Sequence, residues 1–194
     1  NDIHMAFIKN YYYLMIDSAQ NFDLDQIKVK NKFTIIMTLL KDCKDDRIRH
    51  FRNQCKAKKI KFFIKNNLAS VVKHKADGLY ISSHNKNLRL NQINNLNIDI
   101  IGSAHNLKEL NIKMKQKCNK IIFSRLFKTN YKDKKTFLGI VKFNLFSRIT
   151  NKELIPLGGI RENNLQLTRL ANSKGFCILS EVKKKPAKII SRLF

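Results

Sequence analysis

The sequence predicts an α/β protein of the (β/α)8 class, the TIM-barrel architecture, as a single domain over residues 1–194 with residues 1–10 as a terminal tail. Short apolar or β-branched runs recur about every 23 residues, a spacing that accommodates a strand, a loop and a helix. Several runs, such as residues 34–40 and 99–102, lack polar–apolar alternation, which is typical of parallel strands covered on both faces. Eight such units favour a closed barrel, with a doubly wound sheet as the alternative.

The predicted strands follow one another at regular intervals along the chain. They begin near Tyr11, Phe33, Lys61, Gly78, Ile98, Lys120, Leu154 and Gly175. The first unit is the weakest, because Ser18–Lys32 is polar and has little apolar periodicity.

The segments between strands carry helix signals. Asp45–Lys58 places apolar residues on one helical face, with Asp45 as a candidate cap. Asn106–Lys117 does the same, and Asn106 with Glu109 resembles a capping box. Apolar residues between 189 and 193 predict a last docked helix.

The charge balance is strongly basic, with 39 Lys and Arg against 14 Asp and Glu and a formal net charge of +25. Lysine, asparagine and isoleucine are abundant while glycine and proline are scarce, a bias typical of an A/T-rich genome. We therefore attribute the basicity mainly to composition, and nonspecific nucleic-acid binding through the basic surface is the less favoured alternative. The positive field nevertheless attracts small phosphorylated molecules.

Two absences in the sequence bear on location. No apolar run is long enough for a membrane-spanning helix, so no membrane partner is expected. The four cysteines form no CxxC pair, which favours a reducing, cytoplasmic compartment over a zinc or disulfide framework. Assembly into a homo-oligomer stays open.

The most informative segment is Leu154–Ile160, in which Gly158 and Gly159 follow a predicted strand. Glycine lets backbone approach a ligand closely, and the loops after barrel strands seven and eight commonly bind phosphate. The alternative interpretation is a tight turn with no ligand.

Polar residues also follow the other late strands. Ser180 ends the eighth strand, where a hydroxyl contacts a ligand or caps a helix. Thr129, Lys128 and Lys132 follow the sixth strand and suit a phosphate or diphosphate.

Small and polar residues end the fifth predicted strand, Ile101–His105. Ser103 and His105 place a hydroxyl and an imidazole there, and the small side chains predict open space at the barrel mouth. His105 is the one histidine nominated as functional, with a helix cap as the alternative. His4, His50 and His74 are expected to be exposed to solvent.

Taken in order, these segments resemble the thiamine-phosphate synthase family and its thiazole tautomerase branch. The resemblance rests on Tyr11–Asp17, Ala76–Tyr80, Ile101–His105, Phe127–Lys132, Pro156–Ile160 and Gly175–Ser180. It implies a transferase of thiamine biosynthesis, in which a thiazole phosphate attacks hydroxymethylpyrimidine diphosphate and diphosphate leaves with Mg2+ assistance. Small phosphorylated heterocycles are then the expected partners.

The resemblance also implies roles for individual residues. Implied thiazole-phosphate contacts come from Thr129, Asn130, Tyr131, Gly158, Gly159, Leu179 and Ser180. Implied diphosphate contacts come from Lys41, Lys132 and Ser103, and the candidate catalytic residues are Lys132, Ser103 and His105.

The chain departs from the family pattern where diphosphate and metal bind. A Gln-x-Arg-x-Lys pattern is reduced to Lys41 alone. The family's two magnesium-binding aspartates fall at Asn66 or Asn67 and at Asn85, and neutral amides bind Mg2+ more weakly than carboxylates. Arg125 stands at the histidine of the tautomerase branch. We therefore expect a synthase-like protein, with a divergent non-synthase binder or regulator of a phosphorylated metabolite as the alternative.

Overall fold

The computed structural model describes residues 9–39, 43–89, 98–129 and 136–193. Eight parallel strands pair in chain order as a closed barrel, in which the last strand returns to the first. They are β1 (Tyr11–Ile16), β2 (Phe33–Met37), β3 (Lys61–Lys65), β4 (Gly78–Ile81), β5 (Asp99–Ala104), β6 (Lys120–Ser124), β7 (Glu153–Leu157) and β8 (Gly175–Ile178). The predicted (β/α)8 fold is confirmed, and each strand begins within one residue of its predicted start.

Helices cover the outside of the barrel. In the described residues the α-helices are α1 (Asp45–Ala57), α2 (Leu68–Lys73), α3 (Leu107–Lys115), α4 (Gly139–Ile149), α5 (Ser180–Lys184) and α6 (Pro186–Ile190). The polar first crossover forms only short 3-10 helices at Ala19–Asn21 and Leu24–Gln26. Another 3-10 helix, Glu162–Leu170, connects β7 to β8. None of the helices within these ranges is long and apolar enough to span a bilayer.

The strands are buried on both faces. Side chains such as Tyr13, Ile36 and Phe63 fill the barrel interior, while their neighbours along each strand pack under the helices. Because both faces meet apolar surroundings, the strand sequences show no clean alternation.

Two local predictions near α1 are wrong. Asp45 is the first helical residue and not the cap, which is Lys44 without a side-chain hydrogen bond. The Asp45 carboxylate instead contacts the Lys73 ammonium and lies 3.2 Å from Nε2 of His74. His74, expected to be exposed, is only 4% exposed because it is packed between α2 and α1. His50 is exposed as predicted, and His4 lies outside the described residues.

The start of α3 and the docking of the last helix agree with the sequence predictions. The Asn106 side chain caps α3 by accepting a hydrogen bond from the Glu109 N–H at 2.9 Å. The Glu109 carboxylate accepts from the His105 N–H at 2.8 Å, one residue before the position of a standard capping box. At the end of the chain Ile189, Ile190 and Leu193 are buried, as predicted for a docked last helix.

The two ends of the barrel differ. The amino-terminal end holds a smaller cavity of about 260 Å³ and carries ion pairs, with Lys61 2.7 Å from Asp99 and Lys120 3.3 Å from Glu153. Lys120 also donates a hydrogen bond to the buried Tyr13 hydroxyl at 3.0 Å. In barrels of this class the functional groups lie at the opposite end, where the carboxyl ends of all eight strands meet.

Strand pairing is weakest between β7 and β8. Only Leu157 and Cys177 pair across this seam, whereas five residue pairs join β6 to β7 and four join β8 to β1. Both residues of that pair also line the open end of the barrel.

Candidate active site

A cavity of about 630 Å³ opens at the carboxyl ends of β5 to β8. His105 and Ser124 line one side, and Leu157 and Leu179 supply apolar walls. The charged lining residues are Arg125, Arg161, Lys184 and Glu181. Three cations against one carboxylate make the cavity electropositive, so it favours an anionic ligand.

The glycine turn after β7 forms one wall of this mouth cavity. Gly158 and Gly159 have φ of +100° and +70°, a region that side chains rarely adopt. A Cβ on Gly159 would lie 2.5 Å from the Phe127 carbonyl oxygen and 2.6 Å from that of Lys128. The turn therefore needs glycine for both its conformation and its close approach to the β6 loop.

The polar groups of the turn are divided between the protein and the cavity. The Gly158 carbonyl accepts from the Phe127 N–H at 2.9 Å, and the Gly159 carbonyl accepts from the Asn164 side chain at 2.8 Å. Among the loop and turn hydrogen bonds of the described residues, none uses the N–H of either glycine. The Gly159 N–H is therefore available to an anion.

A serine–histidine pair lies at the other side of the cavity. Ser124 Oγ and His105 Nδ1 are 2.6 Å apart and share a hydrogen bond. The His105 backbone is fixed at the start of α3, where the Glu109 carboxylate accepts a hydrogen bond from its N–H at 2.8 Å. The pair can accept or donate a hydrogen bond at a position next to the Arg125 side chain, whose Nη1 donates to Thr129 Oγ1 at 3.4 Å.

Ser103 lies deeper than the cavity lining. It is 6% exposed, and its side chain shares a hydrogen bond with the Tyr80 hydroxyl inside the barrel. Burial raises the pKa of Tyr80, so the phenol stays protonated. Burial also raises the pKa of Cys177, which contributes to the cavity as a neutral thiol.

Small side chains in β5 do not open the mouth as expected. A Cβ on Gly102 would lie 2.7 Å from Cys118 Sγ and 2.9 Å from Lys113 Cδ, so this glycine makes room beneath α3. The expectation of open space at Ile101–His105 is therefore wrong at Gly102, because the residue faces the helix layer.

Across the mouth, β1 is tied to α5. Asp17 Oδ1 lies 2.7 Å from Lys183 Nζ and accepts a hydrogen bond from Thr38 Oγ1 at 3.0 Å. The Lys183 ammonium, followed by the Thr38 hydroxyl, lowers the pKa of Asp17. The Asp17 carboxylate is therefore already bound by groups of the protein itself.

Asparagines after β3 and β4 come together at the same end of the barrel. Asn66 Oδ1 accepts from the Ser82 N–H at 3.0 Å and from Asn85 Nδ2 at 3.4 Å. Asn66 Nδ2 donates to Ser82 Oγ at 2.7 Å. Asn67 instead caps α2 by accepting from the Ser70 N–H at 2.8 Å. The described residues hold no group of three or more His, Cys, Asp or Glu side chains suited to a metal ion.

Several predicted site residues cannot be placed. Lys41, Asn130, Tyr131 and Lys132 lie outside the described residues. Of the others, His105, Thr129, Gly158, Gly159, Leu179 and Ser180 all line the mouth cavity.

A sequence model of the thiamine monophosphate synthase family matches residues 26–182. The chain belongs to that family. No curated protein sequence matches the chain.

Solved structures share the fold at low sequence identity. Thiamine phosphate pyrophosphorylase from Pyrococcus furiosus is 16% identical with a TM-score of 0.73, over 95% of this chain and 93% of that one. The 3-keto-L-gulonate-6-phosphate decarboxylase from Vibrio cholerae is 14% identical with a TM-score of 0.62, over 96% and 99%. The 2-keto-3-deoxy-6-phospho-gluconate aldolase from Zymomonas mobilis is 9% identical with a TM-score of 0.65, over 96% and 92%.

This member of the thiamine monophosphate synthase family has an asparagine set that does not fit Mg2+. The ion prefers an octahedron rich in carboxylate and water oxygens. Here the Asn66 and Asn67 side-chain oxygens already accept hydrogen bonds from the protein, and Asn85 Oδ1 accepts from the Asn87 N–H at 3.0 Å. No catalytic step is therefore assigned to a metal at these positions.

Sequence reasoning missed Ser124, Arg161 and Lys184. Ser124 lies opposite His105 because Ser103 pairs with Ile122 in the β5–β6 ladder, and no local sequence signal indicates that register. Arg161 and Lys184 had no distinguishing signal either, since basic residues occur throughout this chain.

Proposed function

We propose that the chain binds a thiazole phosphate, or a similar phosphorylated heterocycle, in the mouth cavity and acts as a thiamine-phosphate synthase. The observation that carries the proposal is the meeting of the Gly158–Gly159 turn with cationic side chains around one cavity. Backbone N–H groups and an arginine together are well suited to a phosphate. The apolar walls from Leu157 and Leu179 suit an uncharged ring beside it.

In this proposal the phosphate lies against the glycine turn, with Thr129, Ser180 and Arg125 as further donors. The thiazole nitrogen then forms a bond to the methylene carbon of hydroxymethylpyrimidine diphosphate. The bond from that carbon to the diphosphate oxygen breaks, and diphosphate leaves with the electron pair.

Side-chain cations stabilise the departing charge in this scheme. Arg161 and Lys184 lie on the cavity, and Lys41 and Lys132 are further candidates from the sequence. Fixed positive groups in a partly enclosed site lower the barrier because they are oriented before the charge develops. The His105–Ser124 pair and Ser103 are assigned to orienting the reacting rings.

Calorimetric titration with thiazole phosphate tests the binding step. Arg125→Met keeps the side-chain stem that packs against Gly158 but removes the charge. A lost charge-assisted hydrogen bond of about 1.5–3 kcal/mol should weaken binding by about ten- to a hundredfold. Arg148→Met, on the exposed side of α4, is the matched control and should leave affinity unchanged. Absence of wild-type binding, or equal effects of the two variants, would refute the site.

A second candidate function is binding without turnover. The Asn66–Asn85 amide contact favours it, because the family's metal-binding carboxylates are replaced there. Incubation with both substrates, with and without Mg2+, and detection of released diphosphate separates the candidates. Diphosphate release supports the transferase, whereas tight thiazole-phosphate binding with no product supports a binding or regulatory role.

A further inference from the structure

The loop after β4 is held from below by a buried lysine. Lys113 on α3 has no exposed surface, and its Nζ donates to the Ser82 carbonyl at 2.7 Å, the Asn85 carbonyl at 2.7 Å and Gln116 Oε1 at 2.8 Å. Three acceptors match the three N–H bonds of an ammonium, whereas a neutral amine has two. The geometry is therefore that of a fully hydrogen-bonded cation.

Gln116 extends the same support. It is fully buried, and its Nε2 donates to the carbonyls of Asn85 and Asn87, both at 3.0 Å. Together Lys113 and Gln116 bind three backbone carbonyls of residues 82–87. This loop carries Asn85, one of the two family metal positions.

The side chains of Asn66 and Asn85 form a hydrogen bond with each other that needs no ion between them. Two carboxylates at these positions would repel one another unless a cation lay between them. Two amides have both donors and acceptors, and Asn85 Nδ2 faces Asn66 Oδ1 at 3.4 Å. The Ser82 hydroxyl and N–H satisfy the remaining Asn66 groups.

We propose that the Lys113 ammonium and the Asn66–Asn85 amide contact hold this side of the mouth in place of a divalent cation, so that the loop is ordered without Mg2+. Lys113 is then a positioning residue. The proposal concerns the protein alone and does not depend on the ligand proposed above.

Titration with Mn2+, a paramagnetic substitute for Mg2+, provides the first test. Electron paramagnetic resonance should detect no stoichiometric binding to the wild-type chain at up to millimolar metal. The double variant Asn66→Asp, Asn85→Asp should bind Mn2+ about tenfold or more tightly, since it restores two charged oxygen ligands. Stoichiometric wild-type binding that Asn85→Ala abolishes would overturn the proposal. If the double variant gained no Mn2+ binding, the claim that the two amides prevent metal binding in the wild-type chain would be wrong.

Hydrogen exchange tests the part assigned to Lys113. Amides of residues 82–89 in the wild-type chain should exchange at the same rate in EDTA and in excess Mg2+. Lys113→Met should speed their exchange about tenfold or more, because two carbonyls lose a charged donor. Lys115→Met, on the exposed side of α3, is the control and should have no effect. Slower wild-type exchange with Mg2+ would overturn the proposal even if the Lys113 variant failed to fold.

Discussion

Two constraints act on Gly159, its positive φ and its close approach to two carbonyl oxygens. Comparing Gly159→Ala with Gly139→Ala separates them. The two residues have nearly the same backbone, with φ of +70° and +69°. A Cβ at Gly139 would have no neighbour within 4 Å, whereas at Gly159 it would lie 2.5 Å and 2.6 Å from two carbonyl oxygens. Both variants carry the conformational cost, but only Gly159→Ala carries the clash.

The magnitudes follow from this difference. The left-handed conformation costs a residue with a Cβ about 1 kcal/mol, which is the full expected loss for Gly139→Ala. Overpacking adds about 1–3 kcal/mol, so Gly159→Ala should lose about 2–4 kcal/mol. At roughly 2–4 °C per kcal/mol for a chain of this size, Tm should fall by about 2–4 °C and about 4–16 °C respectively.

Urea denaturation of both variants, followed by circular dichroism with the m-value checked, measures these losses. Gly159→Ala should also weaken thiazole-phosphate binding, because the turn lines the cavity, while Gly139→Ala should not. Equal destabilisation by the two variants would refute the argument from carbonyl contact.

Three further predictions concern acid stability, thiol access and core packing. The pKa of Asp17 is lowered in the folded state, so its contribution is fully present above the unfolded value of about 4 and is lost as pH falls below that value through the lower folded pKa. The wild-type unfolding free energy should therefore fall more than that of Asp17→Asn between pH 7 and pH 3, by less than about 1 kcal/mol because the ion pair with Lys183 is partly exposed. An equal fall in both proteins would contradict this. All four cysteines are free, and a thiol reagent should modify only Cys43 rapidly in the native chain, since the other three are buried; two or more fast thiols would contradict their burial. Phe123→Ala should cost about 3–5 kcal/mol in chemical denaturation, against less than about 0.5 kcal/mol for Val141→Ala at a position 83% exposed, and similar losses would contradict the packing.

The strand positions could be predicted because strands buried on both faces are runs of mostly apolar residues without polar–apolar alternation. Residues 34–40 are apolar apart from two threonines, and polar segments mark the ends of such runs. The start of helix α3 could also be predicted, since Asn106 and Glu109 have the three-residue spacing of a capping box. These signals lie within a few residues of one another.

Contacts between distant segments could not be predicted in the same way. The burial of His74 could not be predicted from nearby residues, since it lies against Asp45 on another helix. The pairing of His105 with Ser124 depends on the register between β5 and β6. Lys113 lies three residues after Leu110 on the apolar side of α3, but its acceptors belong to a loop about 30 residues earlier in the chain.

The barrel is most easily opened locally between β7 and β8, where few residues pair. Local openings begin where few hydrogen bonds must break, and Leu157 with Cys177 forms the only strand pair there. The glycine turn lies on one side of this seam and Ser180 on the other, so a ligand held by both would close it. A ligand bound in the mouth would therefore raise the free energy needed to open this seam.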